Sequence, residues 1–378
     1  MNVDHSHSAQ KILTGGDYAF AQEGCQANAC AFYRGILGSQ SCPGFRVLPS
    51  LTSPSEAAYH RFVSRRYSLQ VVLFTTIICL VVSRAFLTLH AQDSEQALED
   101  QISSKIQAGQ IDAALDQVRM AVGEYPRSSL LYQLLGVALF KKGLNDEARS
   151  AFRRATELDP GVPQNYFNFA LVELSESHYA QAVTLLETCL RLDPQNAQGH
   201  LLLGRAYHNL NRTLPAIEQF KKALVLQSDL PLAHYHLGYA YRSLGNLRPA
   251  LEEFKMEVQN NPGFYESYWL AGNIELGQGN LEAAEALFRK GIRLKAQAFP
   301  AHYGLARVLL ARKQFRDAEA ELRKALESNP DNVEVHYALG RVYQQMGRAE
   351  EAQREYQLCA VINARNQKRR SGIAGQQP

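Results

Sequence analysis

Aromatic, arginine and asparagine side chains recur every 34 residues along the second half of the chain. One row contains Tyr235, Trp269, Tyr303 and Tyr337, and a second row, at positions four residues after the first, contains Arg205, Tyr239, Asn273, Arg307 and Arg341. Arg242 lies three residues after Tyr239. Arginine and asparagine can hydrogen-bond the carboxylates and backbone of a peptide, and aromatic rings can bury its side chains. Residues three or four apart share a helix face, so these positions predict adjacent stripes of peptide-binding side chains.

No other set of reactive side chains has the spacing of a catalytic or metal-binding motif. The six cysteines include no CxxC pair, and the chain contains no phosphate-binding GxxxxGK[ST] loop, HExxH or GxSxG sequence. His234 and His236 are two residues apart and therefore point to different faces of a helix. We therefore expect no catalytic residue, no bound metal and no cofactor.

Several histidines and cysteines occupy repeated positions that favour packing. One register contains His200, His234, His302 and His336, and another contains Cys189 and Cys359. Alanine fills the cysteine register elsewhere, for example at Ala155 and Ala223, which indicates a position for a small side chain. We interpret both groups as packing residues rather than metal ligands or reactive thiols. Carboxylate pairs such as Glu252–Glu253 fall on second helices, and we expect them to face solvent.

The composition indicates a folded protein without a strongly charged surface. The chain has 378 residues, of which 46% are hydrophobic and 20% are charged, and its formal net charge is +3. This hydrophobic content is typical of globular domains. The small net charge argues against the concentrated basic face that nucleic-acid binding requires. We expect no nucleic-acid partner.

The elements that position the binding side chains are predicted to be paired helices with a period of 34 residues. Alanine occupies eight successive positions of this period: Ala114, Ala148, Ala182, Ala216, Ala250, Ala284, Ala318 and Ala352. A small residue lets two antiparallel helices approach closely, and a large one such as Phe220 fills the space beside it. Proline, as at Pro160, ends the second helix, and glycine, as at Gly143, allows a left-handed turn between the helices.

The pattern within one period is specific. Ser129–Val162 contains, in order, Tyr132, Leu135-Gly136, Leu139, Ala148, Phe152, Ala155 and Pro160. In this pattern the chain resembles the tetratricopeptide repeat family over residues 95–366. The resemblance implies an all-α fold, a right-handed α-α superhelical solenoid of about eight helix-turn-helix repeats. It also implies that the first helix of each repeat lines a concave groove, where the ten binding residues would lie. The first repeat departs most, with Gln101-Ile102 in place of Leu-Gly, and is expected to be an irregular cap.

The residues before the repeats have the organisation of an export segment. Residues 1–62 lack an apolar period and are expected either to be disordered or to lie upstream of the true start. Residues 63–91 contain Arg65 and Arg66, then 17 uncharged residues from Tyr67 to Ser83, and end at Ala91, which predicts a cleaved signal peptide. An uncleaved anchor over residues 67–89 and a buried core helix are alternatives, and the paired arginines leave the twin-arginine route open. Residues 367–378 are expected to form a disordered basic tail.

These observations favour a non-catalytic scaffold or adaptor that binds a peptide or protein segment in the groove. Positive charge before the apolar run and acidic residues after it predict that the repeats lie outside the cytoplasm of a bacterium, periplasmic, secreted or anchored to the inner membrane. A membrane-held cytoplasmic regulator and the substrate-binding arm of an enzyme complex are the alternatives. The carboxylate clamp of chaperone-binding relatives requires a lysine in the first row, which this chain lacks, so that function is not expected.

Overall fold

The computed structural model describes residues 94–374, with side chains up to residue 369. The described residues form helices joined by turns, and none of them lies in a strand. Helix α1 comprises residues 94–107. The helices that follow are α2 Ile111–Glu124, α3 Ser129–Lys141, α4 Asn145–Leu158, α5 Pro163–Ser175, α6 Tyr179–Leu192, α7 Ala197–Asn209, α8 Thr213–Leu226, α9 Ala233–Ser243, α10 Leu247–Asn260, α11 Tyr265–Gly277, α12 Leu281–Leu294, α13 Phe299–Ala311, α14 Phe315–Ser328, α15 Val333–Gln345 and α16 Ala349–Ala374.

The chain divides into two compact units after Ala151. In the first unit, α2 packs against α3, and Ile102, Leu115 and Leu131 are buried. In the second unit, each helix from α5 to α16 packs against the next one along the chain. The prediction of an all-α solenoid of tetratricopeptide-type helix pairs is confirmed.

Turn residues and caps set where the helices of a hairpin end and begin. The turns between paired helices contain Gly143, Gly245, Gly279 and Gly347, whose φ angles lie between +76° and +83°. Glycine adopts this left-handed conformation without the steric cost that a Cβ atom imposes. The side-chain oxygens of Asn196 and Asn332 each accept a hydrogen bond from a backbone N–H at the start of α7 and α15. These N–H groups have no carbonyl partner within the helix, so the cap supplies the missing acceptor.

The alanines of the 34-residue register lie where two helices of a hairpin cross. Seven of the eight have no exposed surface, and Ala352 retains 4%. Beside this contact, a Cβ atom on Gly204 would lie 2.5 Å from the ring of Phe220 and 3.1 Å from the carbonyl oxygen of Ala216. The helices α7 and α8 are therefore as close as glycine allows, which confirms the packing that the sequence predicts.

In two places the first helices of successive hairpins contact each other directly. In the second unit, α7 contacts α9 and α11 contacts α13, whereas no two second helices of that unit make comparable contact. At these two places side chains of neighbouring first helices can lie on one shared surface.

The termini bear on two further expectations. Residues 1–62 and the predicted export segment 63–91 lie outside the described residues. Within residues 94–374, no helix is both long enough and apolar enough to cross a membrane. The expectation of a disordered tail is wrong for residues 367–374, because α16 continues to Ala374. Ala364 stands where other repeats have a proline, so nothing blocks the hydrogen-bond ladder there.

Gly304 supplies a test of the packing between hairpins. A Cβ atom at this position would lie 2.2 Å from the ring of Phe288, a side chain with no exposed surface. We expect Gly304→Ala to lower the free energy of unfolding by about 1–3 kcal/mol, because the buried ring has no free space to move into. Denaturant unfolding followed by circular dichroism measures the change.

The matched control is Gly277→Ala at the end of α11, where an added Cβ meets nothing within 4 Å. Alanine has the higher helix propensity, so this variant is expected to be as stable as the parent or slightly more stable. Equal stability of the two variants would contradict the proposed packing of Phe288.

Candidate functional site

The ten predicted binding residues lie on the first helices of five successive hairpins. Arg205 is on α7, three are on α9, two are on α11, two are on α13, and Tyr337 and Arg341 are on α15. Arg307, Tyr337 and Arg341 are exposed, and the other seven are half-buried. All ten therefore keep accessible surface. We call the surface that they share, on α7, α9, α11, α13 and α15, the first-helix face.

The three residues on α9 form one cluster of aromatic rings and a cation. The rings of Tyr235 and Tyr239 are 6.1 Å apart, and the guanidinium carbon of Arg242 lies 5.0 Å from the centre of the Tyr239 ring. Tyr235 also meets Phe264 edge-on at 4.9 Å, and burial raises the pKa of its phenol. Rings held in this way offer contact area to a ligand without losing much conformational entropy on binding.

Further along the face, Asn273 and Arg307 from neighbouring first helices meet directly. A guanidinium nitrogen of Arg307 donates to Oδ1 of Asn273 at 3.3 Å, and the guanidinium carbon lies 5.9 Å from the ring centre of Tyr303. Trp269 is half-buried and packs against the apolar core on both sides. Part of the Trp269 ring therefore completes the packing between hairpins, and the rest of its surface remains accessible.

The arginines of the first-helix face have no carboxylate partner among the described residues. Neither Arg205 nor Arg341 forms an ion pair within the described part of the chain. Burial raises the pKa of the Tyr303 phenol, and the positive charge of nearby Arg341 opposes this rise in part. Tyr337 is 55% exposed, and its ring lies 5.7 Å from that of Tyr356. This end of the face therefore presents a free cation beside an exposed ring.

The sequence analysis missed two carboxylates near the face. Burial raises the pKa of Glu266 on α11, and its charge raises the pKa of Tyr235. Glu334 on α15 acts on Tyr303 in the same way. The two glutamates are 68 residues apart, which is two repeat periods, so their shared register was visible in the sequence. The face therefore carries charges of both signs.

A second group of polar residues links each hairpin to the segment before it. In three hairpins a buried histidine bonds a glutamate of the second helix through Nδ1 and a backbone carbonyl through Nε2. The Nδ1 contacts are His234–Glu253 at 2.7 Å, His302–Glu321 at 2.6 Å and His336–Glu355 at 2.6 Å. The Nε2 atoms lie 3.2, 2.8 and 2.8 Å from the carbonyl oxygens of Ser228, Ala296 and Pro330. We call this arrangement the histidine clamp.

The clamp corrects part of the sequence interpretation. The histidines are buried, as expected of packing residues, and Tyr268 takes the same position in its hairpin, where its hydroxyl donates to the carbonyl of Pro262 at 3.0 Å. The expectation that Glu253 faces solvent is wrong, because its side chain is 23% exposed and pairs with His234. The partners are 19 residues apart on different helices, so only the folded hairpin brings them together.

The remaining reactive groups are consistent with a structural role. Burial raises the pKa of the Cys189 thiol to about 11, which makes it a poor nucleophile at neutral pH. Within residues 94–369, no three histidine, cysteine, aspartate or glutamate side chains are close enough to bind a metal ion.

Comparison with known proteins identifies the repeat. Profiles of the tetratricopeptide repeat match residues 100–163, 163–196, 197–229, 235–299, 275–326 and 309–358, and a TPR repeat profile matches residues 215–245. The chain belongs to the tetratricopeptide repeat family. Its repeats identify this chain as a protein-interaction scaffold.

Curated relatives match the tetratricopeptide repeats of this chain over about a third of its length. BBSome complex member BBS4 of Xenopus tropicalis is 31% identical over 121 residues, or 32% of this chain and 23% of that protein. Cell division cycle protein 27 homolog A of Arabidopsis thaliana is 34% identical over 103 residues, or 27% of this chain and 14% of that protein. The chain thus spans about a quarter or less of these relatives.

Solved structures share the fold at low sequence identity. The crystal structure of the APC/C hetero-tetramer Cut9–Hcn1 matches with a TM-score of 0.52 and 20% identity, over 64% of this chain and 48% of that one. PilF of Pseudomonas aeruginosa matches with a TM-score of 0.51 and 17% identity, over 56% and 96% of the two chains. At this identity the likeness shows a common tetratricopeptide fold.

The histidine clamp predicts that stability depends on pH. The hydrogen bond with Glu321 raises the pKa of His302 despite the opposing effect of burial. The ion pair between protonated His302 and Glu321 therefore contributes its full stabilisation at pH values below about 6.5, the pKa of histidine in the unfolded chain. This contribution is lost as the pH rises through the higher pKa of His302 in the folded chain. We expect Glu321→Gln to cost about 1–2 kcal/mol of unfolding free energy at pH 5.5 and clearly less at pH 8.5.

Tyr268→Phe is the control, because it removes the equivalent hydrogen bond in a hairpin that has tyrosine in place of the histidine. Its loss of stability is expected to be the same at both pH values in denaturant unfolding. A Glu321→Gln effect that does not change with pH would show that His302 is not protonated in the clamp.

Proposed function

We propose that the first-helix face binds an extended segment of a protein partner, and that the chain recruits this partner at the bacterial cell envelope. The proposed mechanism is binding without a catalytic step. The rings on α9, α11 and α13 bury side chains of the segment, while the arginines and Asn273 hydrogen-bond its carboxylates and backbone.

The observation that carries this proposal is a set of four arginines along the first-helix face, none of which forms an ion pair with a described carboxylate. They are Arg205, Arg242, Arg307 and Arg341. Elsewhere several arginines are paired, as Arg289 and Arg312 are with Glu285. An arginine without an ion pair is available to a ligand without first breaking one.

Two further observations support a protein segment as the ligand. Glu266 on α11 and Glu334 on α15 lie on the two first helices that flank Arg307 on α13, so the face suits a segment that carries both basic and acidic side chains. Curated relatives are also named as members of protein complexes, such as the BBSome. The export-type sequence of residues 63–91 supports placement of the repeats outside the cytoplasm.

Partner capture tests the face. We expect the double variant Trp269→Ala/Arg307→Ala to capture about one tenth or less of the partner that the parent chain captures after crosslinking and pull-down from the native host. The variant removes an aromatic anchor and a cation at the centre of the face. Circular dichroism melting of each variant identifies any loss that comes from unfolding.

The matched control is Leu214→Ala/Arg316→Ala on second helices, where both side chains are exposed. This variant removes an apolar side chain and an arginine from second helices and is expected to leave capture unchanged. Undiminished capture by a folded Trp269→Ala/Arg307→Ala chain would refute the groove proposal.

A reporter fusion tests the location separately. Alkaline phosphatase joined to the carboxyl terminus of the full chain is expected to be active in bacteria, because the enzyme forms its disulfides only outside the cytoplasm. A fusion that starts at residue 94 lacks the export segment and is expected to be inactive. Inactive phosphatase on the full-length fusion, with intact protein on an immunoblot, would favour the membrane-held cytoplasmic regulator instead.

A further inference from the structure

The start of α9 differs from the start of the other first helices in the second unit. Helices α5, α7, α11, α13 and α15 have 13 residues each, whereas α9 has 11. Pro231 stands at the position of the repeat where the others begin, as α5 does at Pro163, and proline is favoured as a first helical residue. Yet α9 begins only at Ala233. Leu232, between them, has a φ of +67°, a left-handed conformation that is costly for a bulky side chain.

A buried glutamate on α10 accounts for this difference. Glu257 is 1% exposed, and at its position of the repeat the other second helices have alanine, cysteine or glycine. In the next hairpin a Cβ atom on Gly291 would lie 4.0 Å from the carbonyl oxygen of Tyr265, the first residue of α11. A small residue thus lets the start of a first helix lie against the second helix. The larger Glu257 side chain does not, and Pro231 and Leu232 are not helical.

The Glu257 carboxylate caps α9 in place of the missing helical residues. Its Oε1 accepts the N–H of Leu232 at 3.1 Å, and its Oε2 accepts the N–H of Tyr235 at 3.2 Å. Asn261 Nδ2 also donates to Oε1, at 3.3 Å. Burial raises the pKa of this carboxyl, and the three hydrogen bonds oppose the rise. In a helix that began at Pro231, the N–H of Tyr235 would instead donate to the Pro231 carbonyl, and the N–H of Leu232 would have no partner within the helix.

Tyr235 connects this cap to the first-helix face. Its ring lies 6.1 Å from that of Tyr239 and meets Phe264, the residue before α11, edge-on at 4.9 Å. Tyr235 and Trp269 also pack against the same cluster of buried residues on α10 and α11. A change in the backbone at the start of α9 would therefore alter the packing of several rings that the face offers to a partner.

We propose that Glu257 is a positioning residue of the first-helix face: its carboxylate holds the start of α9 in the left-handed conformation and thereby fixes the Tyr235 ring against its neighbours. This inference rests on the proposed function and names a buried residue that the partner does not touch. Both carboxylate oxygens accept backbone N–H groups, which a glutamine amide, with one acceptor oxygen, does not reproduce. Without the carboxylate, α9 begins at Pro231, as the other first helices do at this position, and Tyr235 moves with it.

Site-resolved hydrogen exchange on the full chain tests the cap. We expect the Leu232 amide to exchange at least about tenfold faster in Glu257→Ala than in the parent chain, because it loses a hydrogen bond to a charged group. The amides of α13 are expected to keep the parent rate, since alanine is the residue that other hairpins have at this position. Glu253→Gln is the matched control. Glu253 lies one turn earlier on α10 and bonds the His234 side chain, so the Leu232 amide should exchange as in the parent.

Fluorescence of Trp269, the single tryptophan of the chain, reports whether the rings of the face move. We expect its emission to shift to longer wavelength in Glu257→Ala, because altered packing exposes more of this half-buried ring to water, and to stay unchanged in Glu253→Gln. Leu232→Gly supplies a rescue, because glycine adopts the left-handed conformation readily and disfavours the competing helical turn. Adding Leu232→Gly to Glu257→Ala is expected to return the emission to the parent value, which a change in stability alone would not produce.

The contrary outcomes identify which step fails. A Leu232 amide that keeps the parent rate in Glu257→Ala overturns the cap. Faster exchange in α13 as well, with a lower melting temperature, would show that Glu257 only stabilises the fold. Faster exchange at Leu232 without a shift of the Trp269 emission, or a shift that Leu232→Gly does not reverse, overturns the link to the face. None of these measurements uses the partner, so undiminished capture by Trp269→Ala/Arg307→Ala refutes the groove proposal and leaves the Glu257 cap standing.

Discussion

The close contact between a small residue of a first helix and an aromatic ring of a second helix determines how four of the six hairpins of the second unit are built, and Leu186 and Leu322 take the place of the ring in the other two. Phe288 shows it most clearly, because added Cβ atoms on Gly272 and on Gly304 would lie 2.9 and 2.2 Å from its ring. The ring thus packs against its own hairpin and against the next one. The same contact that closes a repeat also joins neighbouring repeats, so a single hairpin cannot complete its core alone.

This contact also decides which side chains of the first helices remain accessible. The small residues and alanines use one side of each first helix for packing, and positions such as Tyr235 and Tyr303 then lie on the accessible side. The first helices α7 and α9, and likewise α11 and α13, contact each other, so side chains from neighbouring repeats lie side by side there. The chain can therefore offer rings from one helix beside cations from the next, as Tyr303 and Asn273 do around Arg307. A rigid stack with these properties suits a protein-interaction scaffold.

Polar groups divide according to the same geometry. Between hairpins, polar residues are satisfied internally: the histidine clamp joins His302 to Glu321 and to a backbone carbonyl, and Glu285 pairs with Arg289 and Arg312. On the first-helix face, Arg205 and Arg341 form no ion pair with any residue that the structure describes. Sequence registers identified both arginines but not this difference, because pairing depends on which helices face each other. The sequence analysis missed Glu266 because glutamate occurs at this register only in every second hairpin.

The sequence by itself determined the fold and the side of the helices that carries the ten candidate residues. Local rules suffice for this: alanine and glycine at a fixed period allow close crossings, proline and glycine end helices, and residues four apart share a face. Only the tertiary structure decided the histidine–glutamate pairs, the unpaired state of Arg205 and the place of Gly304 against Phe288. Each of these joins residues on different helices, and their meeting depends on distances that a linear pattern does not contain. The helical continuation of residues 367–374 lies between the two cases, because the missing proline at Ala364 was visible but the basic composition suggested disorder.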